Sequence, residues 1–329
     1  MQRIAVIGSN SFSGSDFVDL LLEDPCRAVL GISRSPEKSA LFLPYRRHGG
    51  ARFRFEQLDL NHDLPRILAA LDTFAPEAVV NFAAQSEVAP SWEDPGQWFQ
   101  TNAVAVARLT DALKDRPWLR RYVHISSPEV YGTCEGTVTE DAPVNPSTPY
   151  AASKAAGDLF LFTLARHFGF PLVMIRSTNV YGARQQLFKI IPRTAIYLKT
   201  GRTVPLHGGG IAVKSYVHIR DVSRGELAAM EHGEPGTIYH LSPDRGYAVR
   251  DVVRRLCEML GRPFEKATVP VEERRGQDAA YVIDSTRARR DLGWAPRVSI
   301  DEGLAEVVRW VETNWDQIRR EPLEYVYQP

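Results

Sequence analysis

Short apolar runs alternate with amphipathic stretches through the first half of the chain. Residues 3–8, 27–33, 52–58, 77–82, 121–126 and 171–177 are strand-like runs. Between them, residues 12–23, 63–74, 97–114 and 150–168 space their apolar positions as a helix does. That alternation predicts an α/β fold of the Rossmann type, a doubly wound parallel sheet covered on both faces. After Arg176 the rhythm breaks. Gly, Pro, Arg and Gln become frequent over residues 178–210, and helices are predicted again at 249–260, 286–292 and 300–314. The expected division is a first domain at 1–177, to which residues 213–235 return, and a smaller C-terminal α/β cap at 178–329.

Composition removes several classes of function. The 329 residues carry forty basic and forty acidic groups, so neither a nucleic-acid nor a membrane partner is expected on electrostatic grounds. No apolar run approaches the roughly 18 residues of a membrane span. A strand pattern begins at once after Met1, so no signal peptide is expected. Cys26, Cys134 and Cys257 are odd in number and far apart, and the eight histidines show no ligand spacing. No metal is expected, and a reducing cytoplasm is the expected home.

The first candidate chemistry lies where the first strand meets the first helix. There Gly8-Ser9-Asn10-Ser11-Phe12-Ser13-Gly14 forms a loop whose glycines let the backbone approach a dinucleotide pyrophosphate at a helix N-terminus. Ser11 stands where a third glycine is usual. The second strand ends in Ser33-Arg34-Ser35, without the acid that reads the ribose of NAD. Arginine suits a 2′-phosphate, so NADP is the expected cofactor, with NAD the alternative. Asp59 and Leu60 end the third strand. Phe82, Ala83, Ala84 and Gln85 follow the fourth, where small residues let a cofactor lie against the sheet.

The second candidate is Ser127-Pro128-Glu129 followed by Tyr150-Ala151-Ala152-Ser153-Lys154. Tyr150 and Lys154 share one helical face, being four residues apart. An ammonium beside a phenol favours the phenolate, so Lys154 is expected to pull the Tyr150 pKa toward neutrality. Ser127 offers a hydroxyl to the same substrate oxygen. Such a trio removes a proton from an alcohol while a hydride leaves its carbon. The carboxylate of Glu129 suggests removal of a second proton.

Together these motifs resemble the extended short-chain dehydrogenase/reductases that modify nucleotide sugars, and most of all the 4,6-dehydratases of dTDP-glucose and GDP-mannose. The resemblance extends through Thr178-Asn179-Val180-Tyr181-Gly182, Arg274-Arg275-Gly276-Gln277-Asp278 and Asp291-Leu292-Gly293-Trp294. It implies that Tyr150 takes the sugar O4 proton, Lys154 lowers its pKa and holds the nicotinamide ribose, Ser127 bonds O4, and Glu129 takes the C5 proton. It implies substrate contacts from Ser86, Asn179, Lys189, Val204, Leu206, Lys214 and Arg274, and a homodimer built through the helices at 97–114 and 150–168. Pro128 departs from the pattern, since the dTDP-glucose enzymes place there the aspartic acid that protonates the departing C6 hydroxyl. Glu129 serving both steps, or a water held by Ser127, would replace it. Lys214 departs too, standing where arginine is usual. A 4-epimerase, a 4-oxidoreductase and a UDP-glucuronate decarboxylase-like enzyme are the alternatives within this group, and a non-catalytic dinucleotide sensor the alternative outside it.

Overall fold

The structure is a computed structural model and describes residues 1–133, 136–272 and 282–325. Its centre is a seven-stranded sheet: β1 (Gln2–Ile7), β2 (Arg27–Ser33), β3 (Phe53–Gln57), β4 (Ala78–Asn81), β5 (Arg121–Ile125), β6 (Leu172–Ser177) and β7 (Thr237–Leu241). The spatial order is β7-β6-β5-β4-β1-β2-β3, with every pairing parallel. The first six strands follow the predicted runs to within a residue at each end. The seventh comes from a stretch to which the hydrophobic pattern assigned no strand. It extends the sheet by pairing Thr237–Leu241 with residues 173–177 of β6.

Alternate strand residues point to opposite faces, and both faces are buried. Val80, with Val123, Ile175, Phe17 and Leu21, belongs to one apolar cluster. Val79, with Leu30, Leu109, Leu161 and Met174, belongs to another. Helices α1 (Phe12–Glu23), α2 (Leu64–Phe74), α3 (Pro95–Phe99), α4 (Val106–Leu113) and α5 (Pro149–Phe168) supply the covering layers. The helix expected at 97–114 is α3 and α4 joined by a π-helical turn, Gln100–Ala105. The wider turn carries Asn102, fully buried, whose carbonyl oxygen would lie 2.3 Å from a Cβ on Gly157 of α5. Only glycine lets the two backbones approach that closely.

Beyond β6 the chain builds α6 (Ile190–Lys199), α7 (Ile219–His232) and α8 (Val249–Met259), and later the helix Ile300–Thr313, which opens on a Ser299/Glu302 capping box. A third cluster joins Ile191, Leu198, Val204, Leu256, Leu304 and Trp310. Helix α7 lies against α1: Ser223 Oγ donates to Asp16 Oδ2 at 2.7 Å and Arg220 Nη2 to Asp19 Oδ2 at 2.6 Å. Among the described residues no helix is long and apolar enough to cross a membrane.

Candidate active site

Strand order reverses between β1 and β4, and the carboxyl ends of those strands open into a cavity of about 580 Å³. A crevice at that switch point is where a doubly wound sheet receives a ligand. The lining includes Gly8, Asn10, Ser11 and Phe12 from the first loop. Ser33, Arg34, Asp59 and Leu60 follow at the ends of β2 and β3, and Phe82, Ala83, Ala84, Gln85 and Ser86 after β4. Ser9, Ser13 and Gly14 are not on its wall. Ser9 is fully buried, with Oγ 3.4 Å from Ser33 Oγ, so it braces the loop from behind.

Gly8 has φ +86°, and a Cβ there would sit 2.8 Å from the Ala83 amide nitrogen. Ser11 has φ −70°, a conformation open to any residue, and its hydroxyl accepts from Gly14 N at 2.9 Å as the N-cap of α1. The serine in place of glycine thus costs the loop no strain and satisfies one free amide of the helix start. Asn10 Nδ2 donates to Ser35 O and Pro36 O at 2.9 and 2.8 Å, which pins the segment carrying Arg34 and Ser35.

The second group of residues gathers at the carboxyl end of β5. Ser127 caps a one-turn 3-10 helix, Pro128–Tyr131, with its Oγ accepting from Glu129 N at 3.2 Å. Pro128 is the first residue of that turn, where a missing N–H is harmless and a fixed φ helps. Helix α5 starts on Thr148, whose hydroxyl accepts from Ala151 N. Its first turn buries Tyr150, hydrogen-bonded to the Ser127 side chain. The Glu129 carboxylate is close enough to act on the phenol. The structure therefore brings Ser127, Glu129 and Tyr150 together, with Lys154 one turn further along α5, and none of the four is on the cavity wall.

The electrostatics differ from the expectation in one respect. Burial, then the Glu129 carboxylate, push the Tyr150 pKa well above the usual phenol value, while Ser127 opposes them. In the protein alone Lys154 does not offset that rise. Its ammonium is 2 % exposed, donates to Ile125 O at 2.8 Å, and is itself lowered to about 8 by burial, against the pull of Asp158. Burial is the main cause; of the two charges that act on Lys154, Asp158 opposes the shift and Arg176 adds to it. Asp158 Oδ2 accepts from Arg176 Nη2 at 2.8 Å and from Ser126 Oγ at 2.6 Å. Arg176 also donates to Tyr131 Oη at 2.5 Å, and that hydroxyl lies 2.8 Å from His240 Nε2.

Other expected substrate residues scatter. Asn179 is half-buried, and its Nδ2 is buried with no partner among the described residues, a donor left for a ligand. Lys189 pairs with Glu87. Val204 and Leu206 point into the third apolar cluster, so only their backbone is left to face a substrate. Lys214 lies in a two-residue strand paired with Tyr247–Ala248. Arg274, with the rest of Arg274-Arg275-Gly276-Gln277-Asp278, lies outside the described residues. Reasoning from sequence missed Asn102, which accepts from Gln85 N at 2.9 Å and donates to Gln85 O and Ser153 Oγ. The signal was there: an asparagine inside a helix that is otherwise amphipathic. It missed Asp158 and Arg176 as well, whose pairing only the folded chain creates.

Comparison with known proteins places this geometry. The family model described as GDP-mannose 4,6 dehydratase matches residues 6–307. A dTDP-glucose 4,6-dehydratase of Streptomyces griseus is 35 % identical over 94 % of this chain and 93 % of its own. Among solved structures, DesIV, the dTDP-glucose 4,6-dehydratase of Streptomyces venezuelae with NAD and TYD bound, superposes with a TM-score of 0.90 at 33 % identity, covering 98 % of this chain and 100 % of that one. A UDP-glucuronic acid 4-epimerase of Bacillus cereus, in complex with UDP-glucuronic acid and NAD, gives 0.86 at 25 % identity, covering 95 % and 99 %.

The buried ammonium generates a prediction. A lysine lowered to about 8 in the folded chain binds fewer protons than its unfolded form up to the ordinary value of roughly 10.4, so stability climbs with pH across that window. Below it the cost of the buried charge is fully present. Lys154→Met is expected to abolish turnover yet raise the Tm at about pH 7 by a few degrees, with the gain shrinking toward about pH 10. Differential scanning calorimetry at both pH values checks this; a gain that does not shrink contradicts it.

Proposed function

The chain belongs to the GDP-mannose 4,6 dehydratase family, and on that premise we propose that it is a nucleotide-sugar 4,6-dehydratase that turns an NDP-hexose into its 4-keto-6-deoxy form. The observation that carries this reading is the convergence of Glu129 and Ser127 on the Tyr150 phenol. An enzyme that only oxidised and reduced C4, as a 4-epimerase does, has no use for a carboxylate there.

Each residue takes a role that its surroundings allow. Tyr150 takes the O4 proton, with Ser127 bonded to the same oxygen. A nicotinamide cofactor held along the cavity wall would supply the hydride acceptor and later the donor. The ketone formed at C4 acidifies the C5 hydrogen, which Glu129 removes. Loss of the C6 hydroxyl leaves an enone, hydride return to C6 follows, and Glu129 restores the proton at C5. The support for binding the sugar diphosphate is the unpartnered Asn179 amide, together with Lys214 in the short strand paired with Tyr247–Ala248. Residues 1–177 with 213–235 hold the dinucleotide in this reading, and residues 178–329 hold the sugar nucleotide. The 4-keto product, followed by its absorbance in alkali, is the expected output of at least one nucleotide hexose. Glu129→Gln is expected to reduce its formation by about 100-fold or more. Wild-type protein that turns over no nucleotide hexose, or a fully active variant, argues against the reading.

NADP is the cofactor we propose, because the loop that Asn10 pins carries Ser33, Arg34 and Ser35 along the cavity with no acid at the end of β2. Binding titrations are expected to favour NADP over NAD in the wild type. Arg34→Ala is expected to weaken NADP alone by about 10-fold to 100-fold, the range of one charged hydrogen-bonding partner. Equal affinity for the two cofactors in the wild type counts against this.

We also propose a homodimer through α3 to α5, because Phe99, Val104, Leu159 and Phe168 leave large apolar side chains exposed along those helices. Light scattering is expected to report twice the chain mass for the wild type and the single-chain mass for Leu159→Glu. A monomeric wild type refutes the dimer.

A further inference from the structure

Pro128 has no proton to give, and the elimination needs one. Loss of the C6 hydroxyl as water consumes a proton that is separate from the one Glu129 takes and returns at C5. Across a turnover Tyr150 ends with one proton more, from O4, and the missing acid with one fewer.

Three carboxylates act on the Tyr150 phenol: Glu129, Glu87 and Asp158. Asp158 is 1 % exposed and spent on Arg176 and Ser126, so it does not reach a substrate. Glu87 is different. It sits on the loop after β4, on the wall of the cofactor cavity. That loop is fastened to the start of α5, because Ser91 Oγ accepts from Tyr150 N at 3.2 Å. Both of its carboxylate oxygens accept from Lys189 Nζ, at 2.8 and 3.0 Å, across 102 residues of sequence. Glu87 therefore lines the cavity and its charge acts on the Tyr150 phenol, with a proton-bearing ammonium in contact with it.

We propose that the Glu87–Lys189 pair is the acid that protonates the departing C6 hydroxyl, with Glu87 meeting the oxygen and Lys189 holding the proton in reserve. The inference rests on the dehydratase reading. In the step, the C5 carbanion electrons form the C5–C6 double bond as the C6–O bond breaks. Glu87 takes a proton from Lys189 Nζ and passes it to the leaving oxygen, so Glu87 is a carboxylate before and after the step, Lys189 is left an amine and water is released. The proton left on Tyr150 equals the one lost by Lys189, and exchange with solvent restores both. Lysine and glutamate are both suited to acid–base work of this kind.

A substrate whose leaving group needs no proton separates this role from a structural one. The probes are the nucleotide hexose that the wild type turns over and its 6-deoxy-6-fluoro analogue, which loses fluoride. Glu87→Gln is expected to lower kcat about 100-fold or more on the hydroxyl substrate while turnover of the fluoro analogue stays within about threefold of wild type. Lys189→Arg keeps the charge and the pairing but cannot release a proton, and is expected to show the same split. Glu129→Gln is expected to fail on both compounds, since both need C5 deprotonation. Equal losses on both compounds in Glu87→Gln and Lys189→Arg, or no loss on either, overturn this inference alone. A wild type that turns over neither compound overturns the dehydratase reading and this inference with it.

Discussion

The pair formed by Asp158 and Arg176 lies beneath everything the site does. Through it α5 is tied to β6, through Ser126 to the end of β5, and through Tyr131 and His240 to the 3-10 turn and to β7. A buried ion pair is seldom the most stable filling for a core, and well-packed apolar residues often serve better. What this one secures is register. It sets where the first turn of α5 stands relative to the carboxyl end of β5, and so where Tyr150 stands relative to Ser127 and Glu129. It also surrounds Lys154 with one opposite and one like charge, so that the ammonium survives burial at a lowered pKa.

The same economy of support recurs at the cofactor end. Asn102 accepts from Gln85 N through Oδ1, and its Nδ2 donates both to Gln85 O and to Ser153 Oγ of α5. One buried side chain thus fixes the cavity loop and the catalytic helix together. Gly8 completes the arrangement by letting the first loop approach the Ala83 backbone, where any side chain would collide.

Pro128 changes meaning in this frame. As a group facing a substrate it offers nothing, yet as the first residue of the turn Pro128–Tyr131 it stiffens the segment that presents Ser127 and Glu129. The turn is made rigid at the expense of an acid, while the cavity wall carries Glu87, paired with Lys189. In the proposed relay, proton supply and proton removal fall to different loops, one after β4 and one after β5.

The elements of the sheet were legible in the chain because periodicity is local: Ile4 to Ile7 or Leu172 to Ile175 announce a strand with both faces buried, whatever lies beyond. Tyr150 and Lys154 were legible because four residues along a helix guarantee a shared face, and Ser127 and Glu129 because they stand in one short motif. Other features depend on partners remote in sequence. The pairing of Glu87 with Lys189 spans 102 residues and that of Asp158 with Arg176 spans 18. The strand Thr237–Leu241 has two polar residues in five, Thr237 and His240, and becomes a strand because β6 offers an open edge. Lys154 was expected to act on Tyr150 by adjacency alone, but burial decided the direction of that shift, and burial belongs to the assembled core. Sequence alone determined which groups are present and which neighbours share a face. Tertiary structure decided which charges are desolvated and what they meet, because dielectric surroundings and long-range contacts exist only once the chain has folded.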